Sequence, residues 1–178
     1  MDCCQYNYKL ALACGLAKIP SRRTFDRRLK TISTDIKERI STIGYLFVTD
    51  GLADPSISAI DSTLIKAKGS VWHKSSMKKG IVPCPGIDTD ARWGYSHTKG
   101  WIFGYKLHLT CTTTGKIIVP LTADVTTANV QDNQLYVSLT SSSSVFSLPY
   151  VLYMIADPGY DDKKLYEYSK NTLGIDLV

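Results

Sequence analysis

The run Val151-Leu152-Tyr153-Met154-Ile155-Ala156-Asp157-Pro158-Gly159 decides how the chain folds. Its apolar part is too short for a helix of ordinary length and stops at a turn signal, so it reads as a strand buried on both faces, as in parallel and mixed sheets. The residue that closes it is an acid. A second strand, Ile57 to Ile65, also carries an acid, in Ile57-Ser58-Ala59-Ile60-Asp61-Ser62-Thr63. Outward from these two, Trp101 to Thr112 and Lys116 to Val125 are rich in β-branched and aromatic residues, and Thr112-Thr113-Thr114-Gly115 reads as the hairpin turn between them. Asp132 to Leu139 reads as a helix ended by the serine run Ser141 to Ser144, a loop. Asp161 or Asp162 starts another helix through Lys170, and Ile175 to Val178 begins a further strand. The order β-β-β-α-β-α-β predicts an α/β fold, a mixed sheet flanked by helices.

Before that core the texture is helical. Tyr6, Leu10, Ala13 and Ala17 recur at helical spacing, and Gly15 and Pro20 punctuate the stretch. Ser21 is placed to cap a second helix in which Phe25, Leu29, Ile32, Ile36, Ile40, Ile43 and Phe47 form an apolar stripe. Arg22, Arg23, Arg27 and Arg28 lie at its start, where they oppose the helix dipole unless an anion arrives. The reading is a short helical, basic segment, 1–50, related to a helix-turn-helix reader of DNA, followed by an α/β domain over 51–178.

Composition bounds the possibilities. With 178 residues, 44% hydrophobic and 21% charged, the chain suits one domain of ordinary size plus a short appended segment. No apolar run approaches the ~20 residues of a membrane span. The start shows no secretory leader, so a cytoplasmic chain is expected. Five cysteines, none in a C-x-x-C pair, read as free thiols. His73, Cys84, His97 and Cys111 match no zinc spacing. A phosphate-binding glycine loop and a G-x-S-x-G elbow are both missing from the sequence, which excludes nucleotide-hydrolase and serine-hydrolase readings.

The net charge of +5 is unevenly placed. Lys18 to Arg39 carries eight basic residues against three acids, and Lys66 to Lys106 carries eight against Asp88 and Asp90, so the remainder is net acidic. A polyanion partner, most commonly double-stranded DNA, fits this pattern; the plainer alternative is a solvated basic surface. In the second tract the candidate DNA contacts are Lys66, Lys68, Lys78, Lys79, Arg92, Lys99 and Lys106. Trp72, Trp93, Tyr95 and Trp101 interleave with them, either to stack on bases or to pack a hairpin onto the core.

Asp61 and Asp157 each leave an apolar strand, where a carboxylate is costly without a partner. Taken singly, each reads as a turn or cap residue. If their strands are neighbours, both acids reach one end of the sheet and repel unless a cation lies between them. Oxygen ligands of this kind select Mg2+ or Mn2+. Two such ions, ~4 Å apart, would serve displacement at a phosphodiester.

Ile60-Asp61-Ser62-Thr63, then Asp88-Thr89-Asp90-Ala91-Arg92-Trp93-Gly94 with Gly100-Trp101-Ile102-Phe103-Gly104-Tyr105-Lys106-Leu107-His108, then Ala156-Asp157-Pro158-Gly159-Tyr160-Asp161, together resemble the DDE-class insertion-sequence transposases. Their catalytic core is ribonuclease-H-like. The resemblance covers roughly Ser21 to the C-terminus, and Pro20-Ser21-Arg22-Arg23-Thr24-Phe25 looks like the end of that family's DNA-binding region. It implies that Asp61 and Asp157 are the first two catalytic, metal-holding acids, with Mg2+ or Mn2+ as cofactor and element ends and target DNA as partners. It further implies a homodimer on DNA and a bacterial or archaeal, nucleoid-associated setting. The family's third acid is a glutamate on a helix after the fifth strand, whereas this sequence reaches Val178 as that strand begins. Glu167, ten residues past Asp157, is not accepted in its place. The expectation is therefore a transposase truncated before its third acid, either an incomplete catalytic domain or a DNA-binding fragment without catalysis.

The basic tract generates a prediction. If about four of its side chains meet phosphate, duplex binding should fall with log salt at a slope near −0.9 × 4, roughly −3.6. Replacing Arg22, Arg23, Arg27 and Arg28 by Ala should flatten that slope in a filter-binding or anisotropy series. An unchanged slope would place the DNA contacts elsewhere.

Overall fold

The computed structural model describes residues 32–178 together with Ser21, Arg23, Thr24 and Arg27. The first expected helix, around Tyr6 to Ala17, lies outside the described residues, as do Phe25, Leu29, Arg22 and Arg28. The chain divides into two compact units, 1–36 and 37–178. In the first, Ser21 acts as a cap, its Oγ accepting the Thr24 N–H at 3.3 Å, and Arg23 and Arg27 are exposed.

A single helix from Ser21 to Phe47 is not what forms. Ile32 is not helical, and helix α1 runs over Ser33–Thr49. Its apolar stripe is also used differently. Ile36 and Ile43 are 45% and 51% exposed, whereas Gly44 and Val48 are buried and Phe47 packs against the main core. The reason is Gly44. A β-carbon there would stand 2.7 Å from the Pro120 carbonyl oxygen, so the helix backbone lies directly against the chain at Pro120 and the face centred on Gly44 becomes the inner one.

The sheet is built from β1 (Asp54–Lys66), β2 (Arg92–Ser96), β3 (Gly100–Thr114), β4 (Pro120–Thr127), β5 (Tyr153–Ala156) and β6 (Asp176–Leu177). β3 pairs antiparallel with β1 along one edge, while β2 and then β4 share its other edge. β5 lies parallel to β1 on the far side, with β6 parallel beyond it. Between β4 and β5 come a 3-10 turn, Asp132–Leu135, and helix α3 (Tyr136–Ser141); between β5 and β6 comes helix α4 (Lys163–Tyr168). A five-residue helix, α2 (Lys74–Lys78), lies in the long β1–β2 connection. This is the mixed α/β sheet with flanking helices that the sequence predicts, and it agrees with a ribonuclease-H-like arrangement. Among the described residues no helix is long and apolar enough to cross a membrane.

Alternation along the strands sorts the sheet into two faces. One face, with Ile60 and Met154, packs against Leu121, Tyr136, Leu139, Phe146, Tyr160 and Leu165 to make the core. The other is open enough to leave Val125, Tyr153 and Ile155 about half exposed. Val151 to Ala156 is therefore not buried on both faces: Val151 and Met154 are inside, and Leu152, Tyr153 and Ile155 are not. The strand β2 is an addition to the expected order. It closes onto β3 through the turn His97-Thr98-Lys99, and Gly100 at φ +71 supplies the left-handed residue that such a turn needs.

The inner face also contains polar groups. Ser58, His108, Thr110, Thr112 and Thr122 are buried, and each finds a partner. Thr110 and Thr122 hydroxyls meet at 2.6 Å, Ser58 Oγ donates to the Pro55 carbonyl at 3.1 Å, and Thr112 Oγ1 accepts the Val119 N–H at 3.0 Å. His108 Nε2 and Thr126 Oγ1 are 2.9 Å apart.

The contact at Gly44 is testable. Alanine is favoured over glycine in a helix by about 1 kcal/mol, but a methyl group cannot approach backbone oxygen so closely, and overpacking costs about 1–3 kcal/mol. Gly44→Ala should therefore lower the melting temperature, measured by circular dichroism. A rise would show that α1 moves off Pro120 without cost.

Candidate active site

The stretch where β1 and β5 run side by side is the natural place to look, because Asp61 and Asp157 come from these strands; Asp157 follows the end of β5 as its sequence suggests, whereas Asp61 lies inside β1, which continues to Lys66 as it stays paired with β3. Ile60 pairs with Ala156 in the parallel ladder, so Asp61 and Asp157 are the next residues on two adjacent strands that run the same way. Asp157 ends β5 and caps the 3-10 turn that follows, its Oδ1 accepting the Gly159 N–H at 2.9 Å. Asp61 Oδ1 accepts the Ser62 N–H at 2.6 Å, and both acids are exposed. They differ in what they face. Asp61 shares the more open side of the sheet with Cys111, whose thiol is pushed up first by burial and then by the Asp61 charge. Asp157 lines a groove.

A third acid stands in that groove, one whose sequence context is that of a helix start. Asp132 opens the turn after β4 and reaches back over the sheet. Its Oδ1 accepts Ser62 Oγ–H at 2.7 Å and Lys106 Nζ–H at 3.0 Å, and the same ammonium donates to the Val130 carbonyl at 2.8 Å. Strand alternation explains why Ser62 and Asp61 serve different partners: consecutive residues point to opposite faces, so the Asp61-Ser62 pair presents a carboxylate to one side and a hydroxyl to the other. The signal available in the sequence was an acid at a helix start, which is an ordinary cap. Only the long-range contacts with Ser62 and Lys106 distinguish it.

The surroundings are polar and buried. His108, fully buried, places Nδ1 at 3.7 Å from Asp132 Oδ1; burial is the chief cause that holds its imidazole below the ordinary range, against the opposing pull of Asp132. The Tyr160 hydroxyl is driven well above its usual range, first by burial and then by Asp132, Asp157 and Asp61 in that order. One phenol thus feels all three carboxylates. Among the described residues the buried side-chain atoms without a hydrogen-bond partner are His108 Nδ1, Asn133 Oδ1 and Tyr160 Oη, on or beside the elements that carry these acids.

Asp157, Asp132, Lys106 and Ser62 form one wall of a groove of about 330 Å³, and Tyr95, His97 and Lys99 of the β2–β3 hairpin form the other. A neighbouring groove of about 480 Å³ shares Tyr95, Lys106 and Asp132 and adds Trp101 and Gly159. Tyr95 and Trp101 are more than half exposed, pack edge to face at 5.3 Å, and carry Lys74 Nζ 3.2 Å from the Trp101 ring centre. Trp72 and Trp93 instead pack inward with Phe103. Of the basic residues singled out, Lys66, Lys68, Lys78, Lys79 and Lys99 are exposed. Arg92 Nη1 is used by the Thr89 and Ala91 carbonyls, and Lys106 is turned inward at 12% exposure. Glu167 lies on the surface of α4 with Lys163 at 3.6 Å, away from both grooves.

The donors suit a hard divalent ion, being carboxylate and hydroxyl oxygens. Among the described residues no three Asp, Glu, His or Cys side chains converge to enclose an ion. The fit is to an open position held by one or two carboxylates and completed by water and phosphate oxygens, the usual manner for Mg2+.

The Lys106–Asp132 pair is half-sheltered, at 12% and 19% exposure, and hydrogen bonds between charged groups contribute about 1.5–3 kcal/mol. Lys106→Met should destabilise by about that much, and Asp132→Asn should cost less once Lys106 is gone. A double-mutant cycle by chemical denaturation should give a coupling of at least about 1 kcal/mol. Additive losses would mean that solvent screens the pair.

The family model of the transposase DDE domain matches residues 52–178 of this chain. No curated protein and no solved structure matches it. The matched span takes in every strand from β1 to β6 and includes Asp61, Asp132 and Asp157. The chain belongs to the transposase DDE domain family, and its function lies in DNA transposition.

Proposed function

We propose that this chain carries out metal-dependent cleavage of a DNA strand and transfer of that strand to target DNA, with Asp61 and Asp157 as the carboxylates that hold Mg2+ or Mn2+. The observation that supports it most directly is the parallel register of Ile60 with Ala156, after which Asp61 and Asp157 are the next residues on neighbouring strands. Domains of this family are in general dependent on divalent metal. When bound, a pair of such ions activates a water or a 3′-hydroxyl and stabilises the oxygen that leaves.

The chain's own residues have four tasks. Asp61 and Asp157 supply negative charge at a fixed place. Exposed Lys66, Lys68, Lys78, Lys79 and Lys99 neutralise phosphates and hold the duplex near the groove. Tyr95 and Trp101 offer ring faces beside it. The basic segment within 1–50, with Arg22, Arg23, Arg27 and Arg28, adds duplex affinity at element ends. Two copies on paired ends would act together in the cytoplasm, at the nucleoid.

Mg2+ or Mn2+ should raise the melting temperature of the chain, because a ligand that binds the folded state alone stabilises it by mass action. Asp61→Asn and Asp157→Asn should each lose most of that rise. A rise preserved in both variants refutes the pairing. DNA retained by the wild type with neither cleavage nor joined products, in either metal, would favour a DNA-binding role without catalysis.

A further inference from the structure

Asp132 is held as a surface turn residue is not. One of its oxygens, Oδ1, is saturated by Ser62 and Lys106. The other, Oδ2, accepts no hydrogen bond from the described residues and faces Gly159. A β-carbon built on Gly159 would stand 2.9 Å from Asp157 Oδ1 and 3.2 Å from Asp132 Oδ2. Two carboxylate oxygens therefore flank one small space, and the absence of a side chain at Gly159 keeps it open.

Two carboxylates turned toward a common space repel unless something positive lies there, and the nearest ammonium, Lys106, is on the far oxygen of Asp132. Around these carboxylates the protein buries two polar atoms without partners. His108 Nδ1 stands 3.7 Å from Asp132 Oδ1, the oxygen turned away from this space, its other nitrogen already paired with Thr126. The Tyr160 hydroxyl, on a residue 1% exposed, directly follows Gly159 in the chain and lies within electrostatic reach of Asp132 and Asp157. An unpartnered buried hydroxyl is destabilising. Water carried by an ion between the two carboxylates would relieve that cost while cancelling the repulsion.

We propose that Asp132 is a metal-ligating carboxylate of this site, with Asp132 Oδ2 and Asp157 Oδ1 taking a divalent cation between them over Gly159. Ser62 and Lys106 fix the carboxylate from behind, and Tyr160 accepts or donates to the ion's water. This inference rests on the reading of Asp157 as a ligand and adds an acid that the reading lacks. Asp157 then lies between two positions, one shared with Asp61 and one with Asp132.

The test is Mn2+ binding to the 178-residue chain, with free Mn2+ followed by electron paramagnetic resonance, for the wild type, Asp61→Asn, Asp132→Asn, Asp157→Asn and Gly159→Ala. Asp132→Asn and Asp157→Asn should each weaken Mn2+ binding by about tenfold to a hundredfold. Gly159→Ala, whose methyl group enters the gap, should do the same with its fold intact by circular dichroism. Affinity unchanged in Asp132→Asn, with losses in Asp61→Asn and Asp157→Asn, overturns this inference and keeps the two-aspartate reading. Losses in Asp132→Asn and Asp157→Asn, with Asp61→Asn unchanged, support it and overturn the pairing with Asp61. If Asp132→Asn does not fold, Gly159→Ala decides: wild-type affinity in that variant overturns the proposal. A wild type that takes no Mn2+ overturns both readings.

Discussion

Two parallel strands cannot be joined by a tight turn, and the pairing of β1 with β5 imposes that constraint on everything between them. The chain must leave β1, return along β3 and β4, cross the sheet through the Asp132 turn and α3, and only then lay down β5 in register. The route has a chemical result. Both strands run the same way, so Asp61, inside β1, and Asp157, just past the end of β5, come to stand side by side, and the crossing segment passes them with a third acid. Lys106, halfway along β3, is the internal cation that the gathering of acids requires.

Much of this was legible in the sequence. Strands β1, β3 and β5 and the two helices that separate the later strands follow from β-branched runs and turn residues, and once β1 and β5 pair, Asp61 and Asp157 become neighbours. What was not legible depended on contacts across the sheet. Nothing in the apolar stripe of α1 says that Gly44, rather than Ile36 or Ile43, faces inward; the close approach to Pro120 decides it. Arg92-Trp93-Gly94-Tyr95-Ser96 is too short to announce a strand, although the three-residue turn before Gly100 was a usable signal. Asp132 looked like a helix cap because its distinguishing partners are far away in sequence. Lys106 counted as part of a basic tract, and the fold turned its charge inward.

The inner face of the sheet shows a second balance. Serine, threonine and histidine side chains occupy positions that valine or isoleucine would fill in a dry core, and they are tolerable because the hydroxyls find partners, Ser58 within β1 and Thr110 and Thr112 across the turn that follows β3. The matching weakens toward the carboxyl end of β1, where His108, Asn133 and Tyr160 each leave an atom unpaired. The same sheet thus passes from a self-satisfied interior to one that calls for outside partners, and that change falls where the acids are.

The central position of β1 bears on how the chain reaches its native state. Ile60 is bonded on one side to Thr110 and on the other to Ala156, residues that follow it by roughly fifty and roughly a hundred positions. During synthesis, the first of these partners leaves the ribosome well before the second, so β1 and β3 form a ribbon with one edge bare until β5 has emerged. Such an edge is a template for unintended strand addition. The half-apolar face beside it, with Tyr153 and Ile155 about half exposed, leaves β5 as the strand that must arrive to cover that edge.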